Sequence, residues 1–382
     1  MRAGHPWVYS NEVDVERSPL GGFEPGAAVE VRAQDGSPLG MAYVNPHTLI
    51  CARIYSRRVG EALDEALITR RVARALALRE RLFSQRGYRL VFGEGDGLPG
   101  LVVDRYGDLL VVQLGTLGIE RVRQQVLAVL QAAVQPAAIA LRNDLAGRAL
   151  EGLPVEIETV LGEVPSHWET EENGARFRFS PLHGQKTGWF WDQRLNRARL
   201  PAYVRGARVL DVFSYDGAWG IQAALAGAAR VTCIDSSADA LARLGVNAAL
   251  NGVADRVDVI HGDAFDRLKD LREGGGRFGV VIVDPPAFIK RRKDLEAGIE
   301  AYQRLNRLAL GLLEPDGILI SCSCSFRLER DVLVDLIHRG ARRHDRVAQL
   351  LEHGHQGPDH PVHPAMLETA YLKCVTVRAC QD

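Results

Sequence analysis

Cysteine is scarce in this chain: the 382 residues hold six. These are Cys51, Cys233, Cys322, Cys324, Cys374 and Cys380, and they show neither the paired C-x-x-C spacing of zinc sites nor the density of a disulfide scaffold. Reduced thiols are expected. His353, His355, His360 and His363 fall in a Gly- and Pro-containing segment whose spacings match no helix-borne ligand pair, so that segment is expected to be a loop near the site and no metal is expected. No stretch approaches the length of a membrane span, and the first residues lack the apolar run of a secretory signal, so no membrane partner is expected and the chain reads as cytoplasmic. Charge of one sign is missing too. With 47 Lys and Arg against 48 Asp and Glu the net charge is −1, which taken alone argues mildly against a nucleic-acid partner. Internal repeats and low-complexity tracts are absent. The length and the ordinary fractions of apolar and charged residues predict two or three globular domains.

The C-terminal third carries two β-branched apolar runs that stop abruptly. Val280-Val-Ile-Val ends at Asp284-Pro285-Pro286-Ala287-Phe288, and Gly317-Ile-Leu-Ile-Ser ends at Cys322-Ser323-Cys324-Ser325. Each reads as a buried parallel strand delivering reactive groups at its C-terminal edge, where ligands bind in open α/β sheets. An acid and two proline-stiffened peptide units at one tip, with a thiol at the next, suit a flat heteroaromatic ring such as a nucleobase.

Upstream, Arg208-Val-Leu-Asp211-Val-Phe213-Ser214-Tyr215-Asp216-Gly217 reads as a strand followed by a turn into a helix. Gly217 permits close backbone approach at that turn. A second strand ends at Asp235-Ser236, and a third leads to Asp263-Ala264. The full G-x-G-x-x-G that brings a helix N-terminus against a pyrophosphate is lacking, and a cofactor without phosphates does not need it. Acids after successive strands favour a ligand with ribose, adenine and a sulfonium, and S-adenosylmethionine has all three. A single such acid is as easily a helix N-cap, which is the expectation for Asp239 or Asp255.

These motifs, together with Gly184-Gln185-Lys186-Thr187-Gly188-Trp189-Phe190-Trp191-Asp192-Gln193-Arg194 and the opening His5-Pro6-Trp7-Val8-Tyr9-Ser10, resemble the RlmI-type family of large-subunit ribosomal RNA cytosine-C5 methyltransferases over nearly the whole chain. The resemblance implies an α/β fold: a class I Rossmann-like methyltransferase domain with an N-terminal PUA β-barrel and a central α+β domain. The expected boundaries are 1–68 for the PUA-like RNA-binding domain, 69–182 for the central domain and 183–382 for the methyltransferase domain. It implies S-adenosyl-L-methionine as cofactor, large-subunit ribosomal RNA as partner, and Gln185, Asp192 and Arg194 closing one side of the cofactor pocket. A homodimer is compatible with the sequence, which does not fix the oligomeric state. In the family another strand precedes the His-Pro-Trp motif, whereas Met1 lies only four residues ahead of His5. A truncated start or a missing first strand is therefore expected, with consequences for closure of the barrel.

The front of the chain agrees with a small β-barrel, since short strands at about 28–32, 39–45 and 50–55 are punctuated by turns. A helix from about Asp64 to Gln85 follows. Strands at Arg89, Gly100 and Leu109, a helix from about Ile119 to Val134 and further strands to about Phe179 make up the central unit.

Methylation at C5 of cytosine needs a thiolate at C6 to build electron density at C5. Asp284 is expected to receive or share a proton at the N3/N4 edge, with Pro285 and Pro286 presenting carbonyls and excluding water. Strand alternation puts Cys322 and Cys324 on one face, so periodicity does not choose between them; Cys324 matches the family's Ser-Cys-Ser position. Lys290-Arg291-Arg292-Lys293 follows the Asp-Pro-Pro element where an RNA backbone would pass, and phosphate contact is expected there. Two other readings stand beside this one. A sister group that methylates guanine N7 shares the Gln-Lys-Thr-Gly and Asp-Pro-Pro elements, and it or an exocyclic-amine methyltransferase needs no thiol. A non-catalytic RNA-binding assembly factor would have no use for the acids after all three cofactor strands.

Overall fold

The computed structural model describes residues 4–381, which divide by internal contacts into two compact units. The first comprises the chain to Trp168 with Ser180–Trp191 and Pro358–Thr369; the second comprises Glu169–Phe179, Asp192–Gly357 and the chain from Ala370.

In the first unit, β1 (Trp7–Tyr9), β2 (Ala28–Arg32), β3 (Pro38–Val44) and β4 (Ile50–Ser56) form an antiparallel sheet in the order β1-β4-β3-β2. Alternation along β3 and β4 buries Ala42, Val44, Ala52 and Ile54 in a small core, closed by Val8 and Cys51. Among the described residues β1 and β2 stay at the edges, and no pairing between them closes the sheet. The helix Glu65–Leu82 starts where Asp64 caps the Leu67 amide at 2.9 Å and buries Leu67, Ile68, Val72 and Ala75. It ends earlier than the pattern suggests, because Phe83 turns extended.

A five-stranded sheet follows, in chain order: β5 (Gly87–Phe92), β6 (Leu101–Tyr106), β7 (Leu109–Leu114), β8 (Ala138–Asn143) and β9 (Glu156–Leu161). The single helix expected over 119–134 is two, Leu117–Arg121 and Arg123–Val134, because Val122 leaves helical geometry at ψ 19°. Gly118 cannot be larger: a Cβ there would stand 2.0 Å from the Tyr43 ring, whose hydroxyl donates to the Pro99 carbonyl at 3.0 Å. Ser180–Trp191 is gripped by the same unit. Arg142 donates to the carbonyls of Pro181 (2.7 Å) and Gly184 (2.9 Å), Thr187 to Asp104 at 2.5 Å, and Tyr106 stacks on Trp191.

The second unit is built on seven strands. These are β12 (Arg208–Val212), β13 (Arg230–Asp235), β14 (Val257–His261), β15 (Phe278–Val283), β16 (Leu313–Ser323), β17 (Arg346–Gly354) and β18 (Lys373–Gln381), in the order β14-β13-β12-β15-β16-β18-β17. The hairpin of β10 (Trp168–Glu172) and β11 (Ala175–Phe179) precedes them, with Asn247 bridging the amide and carbonyl of Arg178. The first five sheet strands run parallel, β18 is antiparallel to both neighbours, and the strand order reverses between β12 and β15. That reversal opens a crevice at the carboxyl edge. The core is a continuous apolar cluster that includes Leu210, Val212, Val281, Val283, Leu319 and Val375, with Tyr302 and Leu305 from the helix Leu295–Leu310.

The late histidines do not form one loop. His353 lies in β17, whereas His360 is buried in the first unit beside Asp359, whose carboxylate accepts the Arg89 amide at 3.0 Å. That backbone bond pulls the segment out of a solvated conformation. Among the described residues no group of three or more His, Cys, Asp or Glu could hold a metal ion, and no helix is long and apolar enough to cross a membrane.

Candidate active site at the carboxyl edge of the seven-stranded sheet

The turn after β12 is held in an uncommon conformation. Phe213 and Tyr215 have φ of 66° and 49° and Gly217 of 90°, positions that cost a non-glycine residue free energy and cluster at functional sites. The surroundings fix them: Phe213 and Ser214 both donate backbone N–H groups to the Ile234 carbonyl, and the Tyr215 amide donates to Asp235 Oδ2 at 2.8 Å. Asp235 Oδ1 accepts the Ser237 amide at 2.9 Å. Each Asp235 oxygen therefore keeps acceptor capacity for a ribose hydroxyl. Ser236 is exposed beside it.

Asp263 follows β14 as expected, but its Oδ1 caps the helix Ala264–Glu273, accepting from the amides of Phe265 (2.9 Å) and Asp266 (3.2 Å). Here the N-cap role anticipated for other acids falls on a residue assigned to adenine, and Ala264 is the first residue of that helix. The residue is exposed, and neither capping bond uses Oδ2.

Asp211 tests whether these residues suit a cationic nucleoside. It is fully buried; Oδ2 accepts the Gly220 amide at 2.9 Å, and Oδ1 has no hydrogen-bond partner among the described residues. Burial, joined by the like charges of Asp284 and Asp235, pushes its pKa up to about 8. Ionising all three carboxyls at one sheet edge is opposed by their mutual repulsion, and a cation such as a sulfonium or ammonium relieves it.

Asp284, at the tip of β15, is oriented from both sides. Gln193 Nε2 donates to Oδ1 and Trp219 Nε1 to Oδ2, each at 2.9 Å. Behind them stands a buried bidentate pair, Arg197 Nε to Glu172 Oε1 at 2.6 Å and Arg197 Nη2 to Oε2 at 3.0 Å. Gln222 also donates to Glu172 at 2.9 Å, and Asn196 steadies the Gln193 amide at 2.6 Å. The Asp284 carboxyl is raised above the usual range by burial, and Asp192 adds to this.

The two thiols differ sharply. Cys322 is 0% exposed and faces Cys374 across the β16–β18 ladder; burial, reinforced by Cys374, pushes its thiol well above the ordinary value. Cys324 lies one residue beyond β16, partly exposed, with Sγ 3.8 Å from the Pro285 carbonyl oxygen. The serines that flank it are the anchors. Ser323 donates to the Tyr302 hydroxyl at 2.9 Å, Ser325 Oγ shares a 2.9 Å bond with the same hydroxyl, and the Ile289 amide donates to Ser325 Oγ at 3.1 Å. Lys373 is buried and donates to the carbonyls of Ser325 (2.7 Å) and Tyr371 (3.0 Å). Burial lowers its pKa to about 8, while interaction with Cys324 acts in the opposite direction.

Asp211, Phe213, Ser214, Tyr215, Gly217, Asp235, Ser236, Asp263, Ala264, Asp284, Pro285 and Cys324 are thus brought to one sheet edge. Asp192 and Arg194 belong to the same unit, both buried, with Asp192 Oδ2 accepting from the Tyr371 hydroxyl at 2.6 Å. Gln185 belongs to the first unit, in the turn where its carbonyl accepts the Gly188 amide. Lys290, Arg291, Arg292 and Lys293 are exposed after the Asp-Pro-Pro element, and Arg291 pairs with Asp294 at 3.3 Å. Sequence reasoning did not single out Gln193, Trp219, Arg197, Glu172 or Lys373 as supports of the site. Only Lys373 carries a local signal, as a charge at the start of a largely apolar strand.

Residues 115–375 match the family model described as S-adenosylmethionine-dependent methyltransferase, and residues 1–57 match that of a PUA-like domain. The chain is 38% identical over 379 residues to Ribosomal RNA large subunit methyltransferase I of Shewanella denitrificans, covering 98% of this chain and 95% of that protein. It is 37% identical over 380 residues to the protein of the same name from Shewanella amazonensis, again covering 98% and 95%. A crystal structure of a methyltransferase complexed with SAH shares the fold, with a TM-score of 0.85 at 20% identity over 99% of this chain and 96% of that one.

Proposed function

Because the chain belongs to the S-adenosylmethionine-dependent methyltransferase family, we propose that it methylates C5 of a cytosine in large-subunit ribosomal RNA through a covalent adduct with Cys324. The observation that carries this reading is the contrast between the thiols: Cys324 is partly exposed against the Pro285 carbonyl, and Cys322 is sealed beside Cys374.

When bound, S-adenosylmethionine supplies an electrophilic methyl group. Asp235 would hold the ribose, and Asp211, releasing its proton to solvent, would carry the negative charge that suits a sulfonium. Asp192 and Arg194 close one side. The Cys324 thiolate, favoured by the neighbouring Lys373 ammonium, adds to C6 of the cytosine and sends the C5–C6 π pair toward C5. As addition places negative charge on the ring, Asp284, held by Trp219 and Gln193, gives a proton to the N3/N4 edge and takes it back when the thiolate is expelled. After C5 has taken the methyl group, a base from solvent removes the C5 proton, the C–H pair re-forms the C5–C6 π bond, and the C6–S bond breaks to release the thiolate. Pro285 and Pro286 limit the access of water to the ring.

The PUA-like domain and Lys290, Arg291, Arg292 and Lys293 contribute affinity for the RNA backbone. Such a substrate implies a cytoplasmic enzyme, and the account is compatible with a homodimer. Bisulfite and mass mapping of ribosomal RNA from a deletion strain tests the assignment: one cytosine should lose its methyl group, and the wild-type gene but not Cys324→Ala should restore it. A missing guanine or amine methyl group instead would sink it.

A further inference from the structure

The first unit contains a cavity of about 530 Å³ that the proposed chemistry does not use. Its size falls in the range of small-ligand sites, about 300–1,000 Å³. The end of β4 (Ile54 to Ser56) with Arg57, one face of the helix Glu65–Leu82 and the turn from Glu94 to Gly97 form its walls.

The charge in this cavity is lopsided. Its two acids are committed to other partners. Glu94 accepts from Trp7 Nε1 at 2.7 Å and lies 3.5 Å from Arg53, and Asp96 accepts two bonds from Arg79, at 2.7 and 2.6 Å, and the Phe92 amide at 2.7 Å. Among the described residues its three arginines form no ion pair with a carboxylate. Among the described residues Arg57 donates to carbonyls, those of Leu39 at 3.0 Å and Gly4 at 2.6 Å among them. Arg71 donates to the Gly97 carbonyl, and Arg74 makes no ion pair among the described residues. Glu61, the acid that acts on Arg71, is already tied to Ser56 and Arg70. Burial lowers the pKa of both Arg57 and Arg71, with the charge of Glu61 opposing it at Arg71. Beside the arginines the wall turns apolar: Leu78 is 41% exposed, and Pro99 and Pro361 line the same space.

We propose that this cavity binds one nucleotide of the substrate RNA, with Arg57, Arg71 and Arg74 on its phosphodiester and the base against Leu78 and Pro361. Guanidinium groups free of carboxylates suit phosphate oxygens, and an exposed leucine beside prolines gives a base an apolar face. A bare anion would leave that face unused. The site rests on RNA being the substrate, and it extends the contact surface of the PUA-like sheet, of which β4 is a strand, onto the adjoining helix.

The test is binding of a single-stranded oligoribonucleotide to the full chain, read by fluorescence anisotropy across salt concentrations. Each phosphate contact on a single strand contributes about 0.7 to the slope of log affinity against log salt. Arg57→Gln/Arg71→Gln/Arg74→Gln should flatten the slope by about two on that basis, while leaving S-adenosylmethionine affinity and turnover at saturating RNA at the wild-type level. The corresponding triple lysine variant should recover most of the slope. Arg74→Gln alone, at an exposed helix position, should remove about 0.7 even if the triple variant folds poorly. RNA containing 4-thiouridine should crosslink to peptides spanning 54–57 or 71–78. A triple glutamine variant with the wild-type slope, or crosslinks that avoid both peptides, would overturn the proposal. Should the wild-type chain bind RNA with this arginine-dependent slope yet methylate no ribosomal RNA, the nucleotide site would stand and the substrate assignment would fall.

Discussion

Trp219→Phe probes how much of the chemistry depends on a held carboxylate. Phenylalanine keeps an aromatic ring in the helix Ala218–Leu225, where Trp219 is 2% exposed, but removes the N–H that reaches Asp284 Oδ2 at 2.9 Å. Hydrogen bonds to a charged group contribute about 1.5–3 kcal/mol. At 1.36 kcal/mol per pKa unit, that loss raises the Asp284 pKa by about one to two units. Burial has already raised this group, so any limb of the pH–rate profile that Asp284 controls should move to higher pH. If the lost bond is made in the transition state, kcat falls by about 10- to 100-fold. Single-turnover methylation across pH with saturating RNA reads both effects, and calorimetry reports whether S-adenosylmethionine affinity holds. Unchanged kcat together with an unchanged pH profile would show that Asp284 takes no part in the reaction.

Three further outcomes are expected. Asp235→Ala should weaken cofactor affinity by about 1.5–3 kcal/mol, the range for bonds with a charged partner; unchanged calorimetric affinity would remove Asp235 from the ribose site. Lys373→Met should slow both methylation and alkylation of Cys324 by iodoacetamide, with Lys373→Arg retaining part of each rate; alkylation at the wild-type rate would dismiss the thiolate role of this ammonium. The folded pKa of Asp211 is raised from 3.8 to about 8, so the contribution of its neutral form is fully present below the unfolded pKa and is lost as pH rises through about 8. Asp211→Asn should therefore flatten the fall in stability between pH 5 and 9 seen by urea denaturation, and an equally steep fall in the variant would contradict the burial argument.

The acidic and thiol strand ends were legible because each follows a short β-branched run that has few alternatives to a buried parallel strand. Asp211, Asp235, Asp284 and Cys324 all sit where such runs end or next to them. Periodicity could not rank Cys322 and Cys324, because the difference lies in their neighbours. Cys374 seals the first across the β16–β18 ladder, and the Tyr302 hydroxyl holds the serines on both sides of the second. The Asp284 support was also hidden, since Glu172, Gln193, Arg197 and Trp219 come from separate segments and meet only after the hairpin and helices pack. Asp263 shows that an acid in a strand-to-helix turn can cap the helix and still stand at the carboxyl edge of the sheet.

The central claim is that Cys324 bonds to the base. With RNA carrying 5-fluorocytidine at the target, C5 has no removable proton after methyl transfer, so elimination fails and the protein should remain attached through sulfur. A denaturant-stable adduct that requires S-adenosylmethionine, maps to Cys324 by mass spectrometry, vanishes in Cys324→Ala and survives in Cys322→Ala is the predicted result. An adduct on Cys322, or continued methylation by the Cys322→Ala/Cys324→Ala double variant, would contradict it.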